Sequence, residues 1–136
     1  MQKIDPAEVK NVLPNITSYD RTMAPLHSIS PINGIIHSIA SLQQFVDDFN
    51  NDICPKLATP PAGFSWQVGI YPMIDANNGN RPGLYFIPTM VKDGWETMKP
   101  GDPNASKIIL DYRVETNRSN YNSGIVYIED LGTSWP

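Results

Sequence analysis

The sequence predicts an α+β protein in which one long amphipathic helix, about 31–53, lies across a four-stranded, mostly antiparallel sheet, with a short N-terminal helix ahead of both. Three observations carry that expectation. Between Ser30 and Cys54 the apolar residues Ile35, Ile39, Leu42, Val46, Phe49 and Ile53 recur at spacings of four, three, four, three and four, one stripe of a helix. From Phe64 onward the period changes to two, as on a strand whose faces differ. Between two such extended runs stands Asn78-Gly79, the strongest hairpin-turn signal in the chain.

Taken in order, the chain opens with a short helix over 4–13. Asp5 is placed to cap it, Pro6 suits its first position, and Glu8 completes a capping box. Ile4 and Val9 are spaced as a hydrophobic staple, Val9, Val12 and Leu13 give an apolar face, and Pro14 bars continuation. Residues 15–29 read as an ordered connector punctuated by Pro25. The central helix then starts with Ser30 as cap and Pro31 behind it, or only after Asn33-Gly34, and Pro55 ends it. Ile32, Ile36 and Phe45 widen its stripe beyond a coiled-coil seam, and the flanking positions hold no complementary charges. Helix on sheet is therefore favoured over a helix-mediated dimer.

The strands follow a proline-rich linker. They are Phe64–Tyr71, Leu84–Val91, Lys107–Glu115 and Gly124–Glu129. Pro72 and Pro88 cannot donate to a ladder, so each belongs at an edge or where pairing breaks. The length suits a single domain over 1–136, with the N-terminal helix and connector in 1–29, the central helix in 30–54 and the sheet in 64–136.

Composition narrows the function more by exclusion than by assignment. A net charge of −4 offers no basic footprint for a phosphate backbone, so nucleic acid is not expected as a partner. No apolar run reaches the length of a membrane span, MQKIDPAEVK lacks the apolar core of a secretory signal, and Met1 argues against a signal already removed. Cys54 is the only cysteine, which rules out an intrachain disulfide and suggests a reducing, cytoplasmic setting. Three glycosylation sequons, at Asn15, Asn104 and Asn117, are close to the number that composition alone generates.

Motifs for chemistry are missing. The loop from Asp75 to Asn80 resembles a calcium loop only superficially, because glycine falls at the fifth position and Phe86 at the twelfth. His27 and His37 lack zinc-site spacing, and Cys54 at a helix C-terminus has a thiol the dipole makes less acidic. No phosphate-binding glycine loop and no nucleophile elbow occur. Catalytic residues, metal ligands and cofactors are therefore not expected. Trp95, in a polar loop, and Trp135, next to the last residue, are the candidates for contact with a protein partner or a second copy. The alternative expectation is a small enzyme or ligand-binding domain with a pocket between the helix and loops 75–83 and 92–106. Its candidate polar residues are His37, Asp75, Asp93 and Arg113.

Overall fold

A computed structural model describes residues 2–23, 34–118, 128–130 and 133–135. In chain order these form strand β1 (Gln2–Lys3), a 3-10 turn (Pro6–Asn11), helix α1 (Val12–Met23), strand β2 (Gly34–Ile36) and helix α2 (Ile39–Asp48). A π-helical turn (Phe49–Ile53) and a 3-10 turn (Cys54–Lys56) lead to the long strands β3 (Phe64–Asp75) and β4 (Arg81–Lys92). Short elements follow: α3 (Ala105–Ile108), β5 (Ile109–Leu110), α4 (Glu115–Arg118), β6 (Ile128–Asp130) and β7 (Thr133–Trp135). The chain is α+β, with helices on an antiparallel sheet.

The substance of that sheet is the run β6-β4-β3, to which β1 on β6 and β5 on β4 add two-residue bridges. A separate ribbon pairs β2 with β7. β3 and β4 make a hairpin in continuous register from Phe64 opposite Lys92 to Asp75 opposite Arg81. Its tip follows the turn signal: Asp75 accepts hydrogen bonds from Asn77 N at 2.9 Å and Asn78 Nδ2 at 2.6 Å, while Gly79 and Asn80 take positive φ of 68° and 57°. Asp93 N donates to Gly63 O at 2.8 Å on the pair that continues the register, so odd-numbered groups bond across the hairpin and even-numbered N–H groups point away from it. Pro72, Pro82 and Pro88 are all even-numbered. None of them removes a bond from the hairpin.

The same phase corrects the expected fourth strand. Pro88 turns its missing N–H toward the flank of β4 where further strands must pair. That flank is filled in two pieces, β6 opposite Leu84–Phe86 and β5 opposite Met90 and Val91. The run expected as a strand over 107–115 is a helical turn, two strand residues and an Asx turn, in which Asp111 Oδ1 accepts from Arg113 N at 2.8 Å. Of the strand expected over 124–129, residues 124–127 lie outside the described residues.

The single long helix over about 31–53 is likewise corrected. Residues 31–33 lie outside the described residues, and Gly34–Ile36 is a strand, in keeping with the β-branched pair Ile35-Ile36. α2 starts after Ser38, whose Oγ accepts from Ser41 N at 3.0 Å, a proper N-cap. It gives way after Asp48 to the π turn, closed by Cys54 N on the Phe49 carbonyl. Pro55 explains the widening, because its ring would press on the carbonyl one turn back.

The N-terminal helix also differs. Pro14 does not stop it, because the change from 3-10 to α at Val12 leaves Pro14 in the first turn of α1, where an N–H has no intrahelical partner. The helix therefore runs to Met23, through residues read as connector.

Two clusters of buried side chains sandwich the hairpin. Under α1, Ile4, Val12 and Ile16 pack on Tyr71, Met73, Tyr85 and Ile87, with Tyr112 closing the side. Buried Asn15 donates from Nδ2 to Tyr85 Oη at 2.8 Å, which satisfies the amide among apolar neighbours. On the opposite face Phe49 and Ile53 pack on Phe86, with the Phe45 ring tilted against that of Phe86 at 4.9 Å between centroids. The helix that backs the sheet is thus α1. Of the stripe expected to cover it, only the C-terminal end does so.

Candidate functional site

The polar residues expected to share a pocket are dispersed. Asp75 is buried at the hairpin tip and caps the turn there, whereas Asp93 is exposed just beyond the other end of β4. Strands of twelve residues separate them by roughly 40 Å at 3.4 Å per residue, so the two loops frame no common pocket. His37 is half-buried between β2 and α2. Trp95 is partly buried in a 3-10 turn, Trp95–Thr97, and the backbone of Trp135 pairs with Gly34. His27 lies outside the described residues.

Arg113 lines a cavity of about 230 Å³, whose lining also includes Ile16, Asp20, Gly69, Tyr71, Thr89 and Asp111. Its Nη2 donates to Asp111 Oδ2 at 2.6 Å, its Nε to Asp111 Oδ1 at 3.1 Å, and its Nη1 to Asp20 Oδ2 at 3.3 Å. The guanidinium also stands 5.7 Å over the Tyr71 ring. Tyr71 Oη donates to Asp111 Oδ1 at 3.2 Å and accepts from Tyr112 N at 3.0 Å. Burial pushes the Tyr71 hydroxyl above the ordinary phenol range. Burial alone would raise Asp111 too, but hydrogen bonds from Arg113 outweigh it and hold the carboxyl below the ordinary range. Phenol, carboxylate and guanidinium thus satisfy one another. The cluster behaves as a clasp that pins residues 111–113 onto the hairpin and α1.

A different surface is left unsatisfied. On α2, Ile39, Leu42 and Val46 stand 78%, 44% and 51% exposed, and Ile36 just before it is 60% exposed. Below them on β3, Val68 and Ile70 are 37% and 57% exposed. The two patches meet in a cleft of about 180 Å³ walled by Phe45, Val46, Phe49, Trp66 and Val68. Val46 also belongs to a broader concavity along α2 with Ile39, Leu42, Gln43 and Asp47. Trp66 is fixed at the cleft's side by Nε1 donating to Ala58 O at 2.7 Å. A slot of this size admits one large apolar side chain.

No protein-family model, curated protein or solved structure matches this chain. Among the described residues no group of three His, Cys, Asp or Glu is placed to hold a metal ion, and no helix is long and apolar enough to cross a membrane. Burial raises the Cys54 thiol above its ordinary range, which disfavours the thiolate a nucleophile needs. The groove between α2 and β3 offers apolar walls and a strand edge, the makings of macromolecular contact.

Reading the sequence for aromatic residues in polar loops missed this surface. Its aliphatic residues read as core in the sequence, since period alone says which side chains share a face and not what covers it. One signal was available. From Phe64 to Ile74 the chain carries no charged residue, so an edge strand there has no electrostatic guard.

Proposed function

We propose that this chain is a non-catalytic protein-interaction or assembly module that docks through the groove between α2 and β3. The observation that carries this reading is the run of exposed aliphatic side chains from Ile39 through Leu42 and Val46 to Val68 and Ile70, joined by a half-enclosed cleft. Scattered exposed apolar residues need no explanation, but a contiguous band leading into a slot is what a partner's anchor side chain requires. Neither nucleic acid nor a membrane is the proposed partner, given the net charge of −4 and the absence of basic residues along α2. The unpaired Cys54 accords with a reducing, cytoplasmic setting for that assembly.

The test is the triple variant Ile39→Lys, Leu42→Lys and Val46→Lys. The expected result is a melting temperature within a few degrees of the parent, since exposed substitutions shift stability by about 0.5 kcal/mol or less each. On native gels of its source cells the parent is expected to run in a higher-mass complex that the triple variant does not form. A steep fall in melting temperature would show that the face belongs to the chain's own core and would end this reading.

A further inference from the structure

We propose that the occupant of this groove is a second copy of the same chain, paired antiparallel to β3 along its outer edge about a two-fold axis near Val68. This rests on the docking surface argued above and names its partner. β3 ends the sheet among the described residues, and the hairpin's phase turns the Val68 and Ile70 N–H groups outward, away from β4. Groups so placed ask for a strand, not merely for an apolar body.

A copy of β3 is such a strand. Its even-numbered side chains Trp66, Val68 and Ile70 lie on the face where α2 sits, so each protomer would lay Val68 beside the other's cleft and bring Val46 and Leu42 of the two helices together. The contact is isologous: the features one protomer leaves open are those the other supplies. Pro72, with no N–H to offer, sets one limit of the pairing, and the antiparallel copy places its own Pro72 at the other.

Charge points the same way. A chain of net charge −4 repels its own copy in general, but nothing between Phe64 and Ile74 is charged, so contact centred there brings the fewest like charges together. Area is sufficient though not generous. A paired edge about 30 Å long and one layer of about 10 Å deep, with the exposed side of α2 added, buries on the order of 1,000 Å² over both copies, the lower bound for a specific interface. The dimer is therefore expected to dissociate on dilution.

Light scattering on the full chain across a dilution series tests this, together with hydrogen exchange at the Val68 and Ile70 amides. The expected mass rises from the 15.2 kDa of one chain toward twice that value as concentration increases. Exchange at the two amides slows in step. Val68→Lys abolishes the rise, and so does Leu42→Lys, which leaves β3 untouched and still reports if a charged strand misfolds. A single-chain mass at every concentration overturns the proposal, and so does a dimer that survives both substitutions. Slow exchange that ignores dilution also overturns it, since the chain's own residues would then cover the edge. In each case the triple lysine variant still decides separately whether the α2 face is a docking surface.

Discussion

The two faces of the β3–β4 hairpin carry similar side chains and meet different fates. Toward α1 stand Tyr71, Met73, Tyr85 and Ile87, all buried. Toward α2 stand Phe86, which is buried, and Val68 and Ile70, which are not. The helices differ in the same sense: Val12 and Ile16 of α1 are buried, whereas Ile39, Leu42 and Val46 of α2 face solvent. Amphipathicity thus marks a stripe for burial without deciding which partner buries it. α1 lies along β3 and closes its layer, while α2 meets the sheet through its C-terminal end, where Phe45 and, in the π turn, Phe49 and Ile53 pack on Phe86.

Core truncation puts the largest number on that contrast. Ile87→Ala empties a fully buried site beneath α1 and is expected to cost about 2–5 kcal/mol through lost transfer energy and the cavity left behind. Leu42→Ala, on the exposed face of α2, is expected to stay within about 0.5 kcal/mol. Urea unfolding of the two variants compares them directly, at a protein concentration where the parent is monomeric. Equal losses would erase the distinction between the faces.

Gly69→Ala sharpens the comparison at smaller scale. A Cβ at Gly69 would overlap Thr89 Oγ1 and come within 2.8 Å of the Tyr71 ring, both on the α1 side. Thr89 is buried and its hydroxyl is tied to Ile87 O at 3.1 Å, so it has little room to yield. Overpacking of this kind costs about 1–3 kcal/mol. Unfolding midpoints that match the parent's would show the layer under α1 to be loosely packed there.

What was legible in the sequence follows from how local each signal is. The hairpin is set by neighbours: Asn78-Gly79 takes the turn, the period of two fixes the faces, and three prolines of one parity leave its ladder intact. α1 runs past Pro14, through residues 15–23 that the sequence presents as an unpatterned connector, on a spacing of Val12, Ile16, Tyr19 and Met23 that the structure makes helical. Pro14 reads as a stop because a change from 3-10 to α, which makes the proline harmless, has no sequence signature. α2 fell short of its predicted length because Gly34–Ile36 found a strand partner about a hundred residues away in β7, a long-range choice that periodicity cannot register. The candidate surface was hidden for a related reason. Its residues look like core until the coverage of each face is known, whereas Asp75 and Asp93 look like a site until the register places them at opposite ends of a strand.

The smallest effect belongs to the clasp that secures the α1 side. Asp111 is held below the ordinary aspartate value of about 3.9, so its contribution is present above that pH and lost as pH falls through the lower folded value. Tyr71 is raised, so its contribution is present below the ordinary phenol value of about 10 and lost as pH climbs toward its higher folded value. Both limbs are shallow, because Arg113 and Asp20 are each about half exposed and solvent screens the pair, leaving under about 1 kcal/mol for the ion pairs. Other carboxylates titrate in the acid window, so the readout is a difference between proteins. Asp111→Asn flattens the acid limb of stability against pH relative to the parent, and Tyr71→Phe flattens chiefly the alkaline limb, with a smaller effect on the acid limb because its hydroxyl also donates to Asp111. If either variant tracks the parent across its own limb after a constant offset, the clasp is geometric and not electrostatic. The α1 layer would then owe its closure to packing alone.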